Sequence, residues 1–192
     1  MERPFWEDTY RDRTSRTFGL VSQEIIELAE TLLGEGRVLD MGCGEGRNAL
    51  FLAGAGFTVD AFDISEQGID KLLATAGRME VNINAWVEDL REFEFSRPYD
   101  LIISHGVFHL LPRDDWQRLI HRVKEYTVPG GVNVVAVFVD TLPTPVDLIP
   151  HVKGLFREGE LAELYAGWNV VSFESYIKED EHSNGVTPSP HQ

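Results

Sequence analysis

A single cysteine, Cys43, stands in the whole chain, so no disulfide can close within it. Basic charge is scarce as well: 17 Lys and Arg against 32 Asp and Glu leave a net −15 at pH 7. A surface of that sign repels polyanions at long range, which argues against DNA or bulk RNA as a partner. The acidity otherwise reads as solubility. No run of about eighteen consecutive apolar residues occurs, so no membrane span is expected. The first residues, Met-Glu-Arg-Pro-Phe-Trp-Glu-Asp, lack the basic and apolar regions of a signal peptide. Internal repeats and interior low-complexity tracts are absent too. These gaps together lead to the expectation of a cytoplasmic protein, monomer or homodimer, that acts on small molecules.

What is present is 192 residues with an ordinary apolar fraction of 43%, enough for one domain with a substantial core. That domain is expected to span 1–180. The polar residues 181–192, with two prolines, are expected to be a disordered tail. Ile25, Leu28, Ala29 and Leu32 mark one face of a helix between Phe18 and Leu33. Strands are expected over Arg37–Met41, Thr58–Ile64, Val81–Val87, Tyr99–Ser104, Val132–Val139 and Asn169–Ile177. Between them, Ser65 is placed to cap a helix carrying Ile69, Leu72, Leu73 and Ala76. A further helix carries Trp116, Leu119, Ile120 and Val123 and is expected to end at Pro129-Gly130-Gly131. A last one covers Glu160–Tyr165. Strand and helix alternate, which argues for a parallel sheet covered on both faces. Right-handed crossovers then bring the C-terminal strand ends to one edge, where ligands sit.

The most informative stretch is 38–46, Val-Leu-Asp-Met-Gly-Cys-Gly-Glu-Gly. A strand runs into a glycine turn and then a helix start, which presents bare backbone N–H groups to a ligand. The dinucleotide fingerprint would put its third glycine at position 47. Position 47 is Arg47, and the third glycine comes one residue early, at Gly46. The acid Asp40 before the first glycine is also foreign to that pattern. Acid-x-Gly-x-Gly-x-Gly resembles motif I of the class I S-adenosylmethionine-dependent methyltransferases, where the loop wraps the amino-acid end of the cofactor. The resemblance implies S-adenosylmethionine as cofactor. It also implies an α/β, Rossmann-like, doubly wound and mostly parallel sheet flanked by helices.

Asp63 ends the second strand, where a carboxylate can accept both ribose hydroxyls and would repel a 2′-phosphate. A helix-capping role for Asp63 is the alternative, but Ser65 already suits it. Carried over from the class, Asp40, Gly42, Cys43, Gly44, Arg47 and Asn48 surround the amino-acid end of the cofactor. Asp63 and Ile64 follow at the second strand, Asp89 and Leu90 at the third, and Ser104 and His105 at the fourth. Asp89 would meet the adenine amino group, or else cap a loop. Tyr10 would cover the cofactor from the N-terminal arm. No catalytic residue is assigned; His105, His109 and Arg47 are the pocket candidates. His105 and His109 are four apart, as metal ligands on a helix turn can be. No acid lies beside them, and no metal is expected. A nucleophilic role for Cys43 is unnecessary for direct methyl transfer.

Four segments narrow the resemblance: Phe-Trp-Glu-Asp-Thr-Tyr at 5–10, Gly-Cys-Gly-Glu-Gly-Arg-Asn at 42–48, Pro-Gly-Gly at 129–131, and Phe-Arg-Glu-Gly-Glu-Leu-Ala-Glu-Leu-Tyr-Ala-Gly-Trp at 156–168. They resemble the tellurite-resistance (TehB-type) methyltransferases from about residue 5 to 180. That resemblance implies methyl transfer to a small soft nucleophile, a tellurite- or selenite-like oxyanion or a thiol-like metabolite. An anionic acceptor would call for Arg47, Lys153, Arg157 or a protonated His105. Residues 141–155 are the lid candidate. The class usually closes with a seventh, antiparallel strand between the fifth and sixth. The residues after 180 cannot make a central strand, so the expectation is either a sheet short by that strand, with the edge of the fifth strand open to a partner, or a shifted sixth strand. A regulatory module that holds the cofactor without turnover and a nicotinamide oxidoreductase are the competing readings.

Overall fold

The computed structural model describes residues 5–12, 19–32, 34–144, 148–180 and 189–191. The chain divides into two compact units, Met1–His105 with His121–Val135, and Gly106–Ile120 with Ala136–Gln192. The first unit holds α1 (Phe5–Arg11), α2 (Gln23–Thr31), β1 (Arg37–Met41), α3 (Arg47–Gly54), β2 (Thr58–Asp63), α4 (Glu66–Met79), β3 (Ile83–Val87) and β4 (Tyr99–His105). It also takes the end of α5 (Arg113–Glu125) and nearly all of β5 (Thr127–Ala136).

The sheet order is β3-β2-β1-β4-β5, with β1 parallel to both β2 and β4 and β2 parallel to β3. This is the Rossmann-like arrangement expected. Chain order reverses between β1 and β4, and a crevice opens at the strand tips of such a switch point. Val38, Leu39 and Met41 of β1 are fully buried, as a central parallel strand covered on both faces requires. On one face, Val38, Val59, Ala61, Leu101 and Ile103 meet Ile25 and Ala29 of α2, Ala49 and Leu52 of α3, and Leu72 of α4. On the other, Phe62 stacks on Phe93 with ring centroids 4.4 Å apart, and Phe95 stacks on Tyr126 at 4.8 Å. The connection 88–98 forms no helix and inserts these two phenylalanines instead.

Helix α4 starts as the sequence implies: the Ser65 hydroxyl accepts from the Gly68 N–H at 3.0 Å. One expectation near the sheet needs correction: strand β5 begins at Thr127 and runs through Pro129-Gly130-Gly131, where the local pattern predicts a helix stop. A proline fits there because β5 ends the sheet order, and an edge can spare one N–H. A Cβ on Gly131 would lie 2.9 Å from the Asp100 carbonyl oxygen, so β5 needs glycine to approach β4.

The second unit is built around Trp116, fully buried, stacked on Phe156 at 3.9 Å and donating from Nε1 to the Gly154 carbonyl at 3.0 Å. Helix α6 (Glu160–Leu164) follows. Glu160, 4% exposed, accepts from Arg113 and from the Arg157 N–H at 2.9 Å. Burial would raise its carboxyl, but these donors hold it below its ordinary value. Segment 156–168 therefore folds around one buried carboxylate.

The expected sixth strand, Asn169–Ile177, does not form. Val171 is 80% exposed, and Phe173, Tyr176 and Ile177 are exposed with it. An alternating apolar pattern becomes a strand only where a neighbour takes its N–H and C=O groups, and no such neighbour pairs with it among the described residues. Lys178–Asp180 instead pairs antiparallel with Ser189–His191 as β6 and β7. Of the tail expected to be disordered, 181–188 and 192 lie outside the described residues. No helix among the described residues is long and apolar enough to cross a membrane.

Candidate functional site

The glycine turn after β1 belongs wholly to the first unit. The Gly42 and Cys43 N–H groups both donate to the Phe62 carbonyl, at 2.8 and 3.0 Å, which ties the turn to the end of β2. Gly44 and Gly46 have φ of 55° and 80°, a region that side chains strain. Space demands glycine there too. A Cβ on Gly44 would sit 2.4 Å from the Tyr10 hydroxyl, and one on Gly46 would sit 2.4 Å from Leu72 Cδ1. The Tyr10 ring thus lies against the bare backbone of the turn. Burial, then the charges of Asp63 and Glu45, push its hydroxyl well above the ordinary range.

Asp63 closes the turn from the other side. Its Oδ2 accepts from the Gly44 N–H and its Oδ1 from the Ser65 N–H, both at 2.8 Å. It anchors the loop and holds the residue that caps the next helix, and each oxygen keeps a lone pair for a further donor. Burial raises its carboxyl against those two hydrogen bonds. Ile64 beside it is 61% exposed, a bare apolar side chain at the strand tip, whereas Leu90 is buried. Asp89 is engaged by its neighbour: Arg91 Nε approaches its two oxygens at 3.0 and 3.1 Å, and the Arg91 N–H donates at 2.9 Å. A ligand amino group would share that carboxylate with Arg91.

Among the buried side-chain oxygens without a hydrogen-bond partner are Asp40 Oδ2, Asn48 Oδ1 and Ser104 Oγ. They stand near the C-terminal ends of β1 and β4 and on the first turn of α3. Burial pushes the Asp40 carboxyl up to about 7, against the pull of Arg47 and of the Ala49 N–H. A buried polar atom left unpaired costs about 1–3 kcal/mol, so three such atoms in one neighbourhood mark a place prepared for hydrogen-bond donors.

Arg47, at the first position of α3, donates to the His105 ring Nδ1 at 2.9 Å and to the Leu20 carbonyl at 3.3 Å. His105 Nε2 lies 3.5 Å from Glu24 Oε1. Cys43 is partly buried, and desolvation raises its thiol well above the ordinary value, which leaves a poor nucleophile. His109 is in the second unit and 2% exposed. Its Nδ1 accepts from the Phe138 N–H at 3.2 Å, and its ring stacks on Phe138 at 4.2 Å. The unit's own atoms thus hold the ring. In the lid candidate 141–155, residues 145–147 lie outside the described residues. Arg157 is engaged by Glu160 and Glu163. No three His, Cys, Asp or Glu converge as a metal-binding set among the described residues.

Sequence reasoning missed two contributors. Lys71 pairs with Glu45 of the glycine turn at 2.6 Å, each 9% exposed, and donates to the Asp12 carbonyl at 2.7 Å. It joins the turn to the end of α1. Lys71 lies opposite the apolar stripe of α4 and so reads as solvent-facing; it is buried because α1 packs on α4. Glu24 reads as an ordinary first-turn acid of α2. Only its distant partner His105 singles it out.

Residues 5–186 match the family described as tellurite resistance protein TehB. A Haemophilus influenzae protein named "probable S-adenosyl-L-methionine-dependent methyltransferase TehB" is 31% identical over 169 residues, covering 85% of this chain and 57% of the relative. The crystal structure of TehB from Haemophilus influenzae superposes with a TM-score of 0.79 at 28% identity, over 97% of this chain and 64% of that one. Magnesium protoporphyrin IX methyltransferase from Synechocystis PCC 6803, solved with bound S-adenosylhomocysteine, shares the fold: TM-score 0.61 at 18% identity, over 85% of each chain. This chain spans 57% of the length of the curated Haemophilus relative. The chain belongs to the TehB family.

Proposed function

We propose that this member of the TehB family binds S-adenosylmethionine over its glycine turn and transfers the methyl group to a small soft nucleophile. What supports the reading is a tight glycine turn held by Asp63 from the next strand tip, together with the unpartnered Asp40 Oδ2, Asn48 Oδ1 and Ser104 Oγ at the ends of β1 and β4 and the start of α3. The residues fit the cofactor. The orphaned acceptors suit ammonium and hydroxyl donors, and the bare Gly44 backbone suits a close-lying ligand. No pyrophosphate cradle of the dinucleotide spacing is present, since Arg47 occupies the third glycine's position.

Bound there, S-adenosylmethionine supplies a methyl group already activated on a sulfonium. The protein's work is then to bind, align and shield. Asp63 accepts from the ribose hydroxyls while still holding the loop. Ile64 offers its exposed side chain to the adenine face, and Asp89 and the Leu90 backbone bound the ring edge. Arg47 takes the amino-acid carboxylate. Tyr10 closes the site from above, held by the latch of Lys71 on Glu45 and Asp12. Alignment of this kind can supply about 7–11 kcal/mol of the barrier. Cys43 has no role as nucleophile.

The acceptor we favour is a tellurite- or selenite-like oxyanion or a small thiol-like compound, in keeping with the family's description as tellurite resistance protein. Soft nucleophiles of this class need no general base, and His105 Nδ1 is occupied by Arg47. A small-molecule role in the cytoplasm, as monomer or homodimer, accords with the net charge of −15. The test is release of S-adenosylhomocysteine by the purified chain offered tellurite, selenite and small thiols in turn. Turnover with at least one supports the reading. Tight cofactor binding with no turnover on any would favour a regulatory module instead.

A further inference from the structure

We propose that Glu24 is a positioning residue: through His105 it holds the Arg47 guanidinium ready for a ligand carboxylate. The inference rests on the reading above, in which Arg47 receives the carboxylate of S-adenosylmethionine. Three elements meet in this network, with Glu24 from α2, His105 from the end of β4 and Arg47 from the start of α3.

A guanidinium can only donate, and a carboxylate can only accept. Arg47 Nη2 stands 2.9 Å from His105 Nδ1, so that nitrogen must present its lone pair. The single proton of the neutral ring then sits on Nε2, the nitrogen facing Glu24 Oε1 at 3.5 Å. The opposite tautomer would set an N–H against the guanidinium and a lone pair against the carboxylate, so both ends would repel. Glu24 thus selects the tautomer, and the tautomer gives Arg47 its acceptor. The Glu24 carboxyl is itself lowered to about 2, first by its hydrogen bond to His105, so it is ionised throughout the neutral range.

The second Arg47 bond, to the Leu20 carbonyl, is longer at 3.3 Å. A ligand carboxylate would displace that contact and leave the His105 bond in place. Glu24 is about half exposed, 47% for its side chain. Its loss opens no core cavity, and its effect is therefore electrostatic and directional. His105 in this arrangement has no free lone pair, so it serves Arg47 and not an acceptor.

The test uses the full chain with 15N-labelled histidine at about pH 8, above the usual imidazole range. Long-range proton–nitrogen spectra of the wild type should show His105 protonated on Nε2, with and without S-adenosylhomocysteine. Glu24→Ala should mix the two tautomers and weaken S-adenosylhomocysteine binding about three- to tenfold, the worth of one hydrogen bond. Glu24→Gln keeps an acceptor oxygen and should restore both. An unchanged tautomer in Glu24→Ala overturns the proposal, as does equal weakening by both variants. Should the wild type bind no S-adenosylhomocysteine, the methyltransferase reading fails, while the spectrum of the free chain still decides whether Glu24 sets the ring.

Discussion

Replacing Asp63 with Asn strikes the ligand and the loop at once, and the two effects separate in measurement. In the folded chain each carboxylate oxygen accepts one backbone N–H, from Gly44 and from Ser65, both at 2.8 Å. An amide offers one acceptor oxygen. Whichever N–H faces its NH2 group loses its partner and meets another donor. That costs about 1–3 kcal/mol of stability, and at about 2–4 °C per kcal/mol for a chain of this size the melting temperature should fall by about 2–12 °C. On the ligand side, one ribose hydroxyl loses a charged acceptor worth about 1.5–3 kcal/mol. At about 1.4 kcal/mol per decade, S-adenosylhomocysteine should bind about 10- to 100-fold more weakly. Calorimetric titration reads the affinity, and a scanning melt reads the stability. A variant that melts early yet binds as well as the wild type would show that Asp63 serves the loop alone, and would refute its place at the ribose.

Other outcomes are equally open to measurement. The Asp40 carboxyl stands at about 7 in the folded chain against an ordinary value of 3.8, mainly through burial. Between those values the folded chain holds a proton that the unfolded chain has released, so stability declines as pH rises from about 4 to about 7 and levels off above. Asp40→Asn should flatten that slope in melts across the range; an unaltered slope contradicts the assignment. Lys71→Ala leaves Glu45 buried without its ion-pair partner and frees the end of α1, which should cost about 3 kcal/mol in urea unfolding. A loss below about 0.5 kcal/mol, the scale of surface changes, would show the latch to be ornamental. Tyr99→Phe removes the hydroxyl that donates at 3.0 Å to the buried Asp60 carboxylate, while the Asn84 amide of β3 still donates to it at 2.8 Å. It should destabilise by about 1–3 kcal/mol without changing S-adenosylhomocysteine affinity. Weakened binding there would mean that Asp60 communicates with the glycine turn.

The glycine turn was readable from sequence because its geometry needs particular residue types at fixed spacing. Gly44 and Gly46 are demanded by backbone angle and by contact with Tyr10 and Leu72. Ser65 was readable as a cap because its hydroxyl acts within three residues. What depends on distant neighbours was not. Lys71 lies on the polar side of α4 and is buried only because α1 covers it. Pro129-Gly130-Gly131 reads locally as a stop, yet at a sheet edge it continues β5. The alternation in Asn169–Ile177 reads as a strand, but pattern cannot provide the neighbour that a strand pairs with. Asp89 was legible as an acid at a strand tip, whereas its capture by Arg91 is a matter of side-chain geometry.

The central claim is that the turn at 42–46 is shaped for a sulfonium nucleoside rather than for a dinucleotide. Calorimetric titration of the wild-type chain with S-adenosylhomocysteine and, in parallel, with NAD tests it most directly. The account expects saturable one-site binding of S-adenosylhomocysteine, abolished in Gly44→Val, and no heat from NAD. Saturable NAD binding with no response to S-adenosylhomocysteine would contradict it.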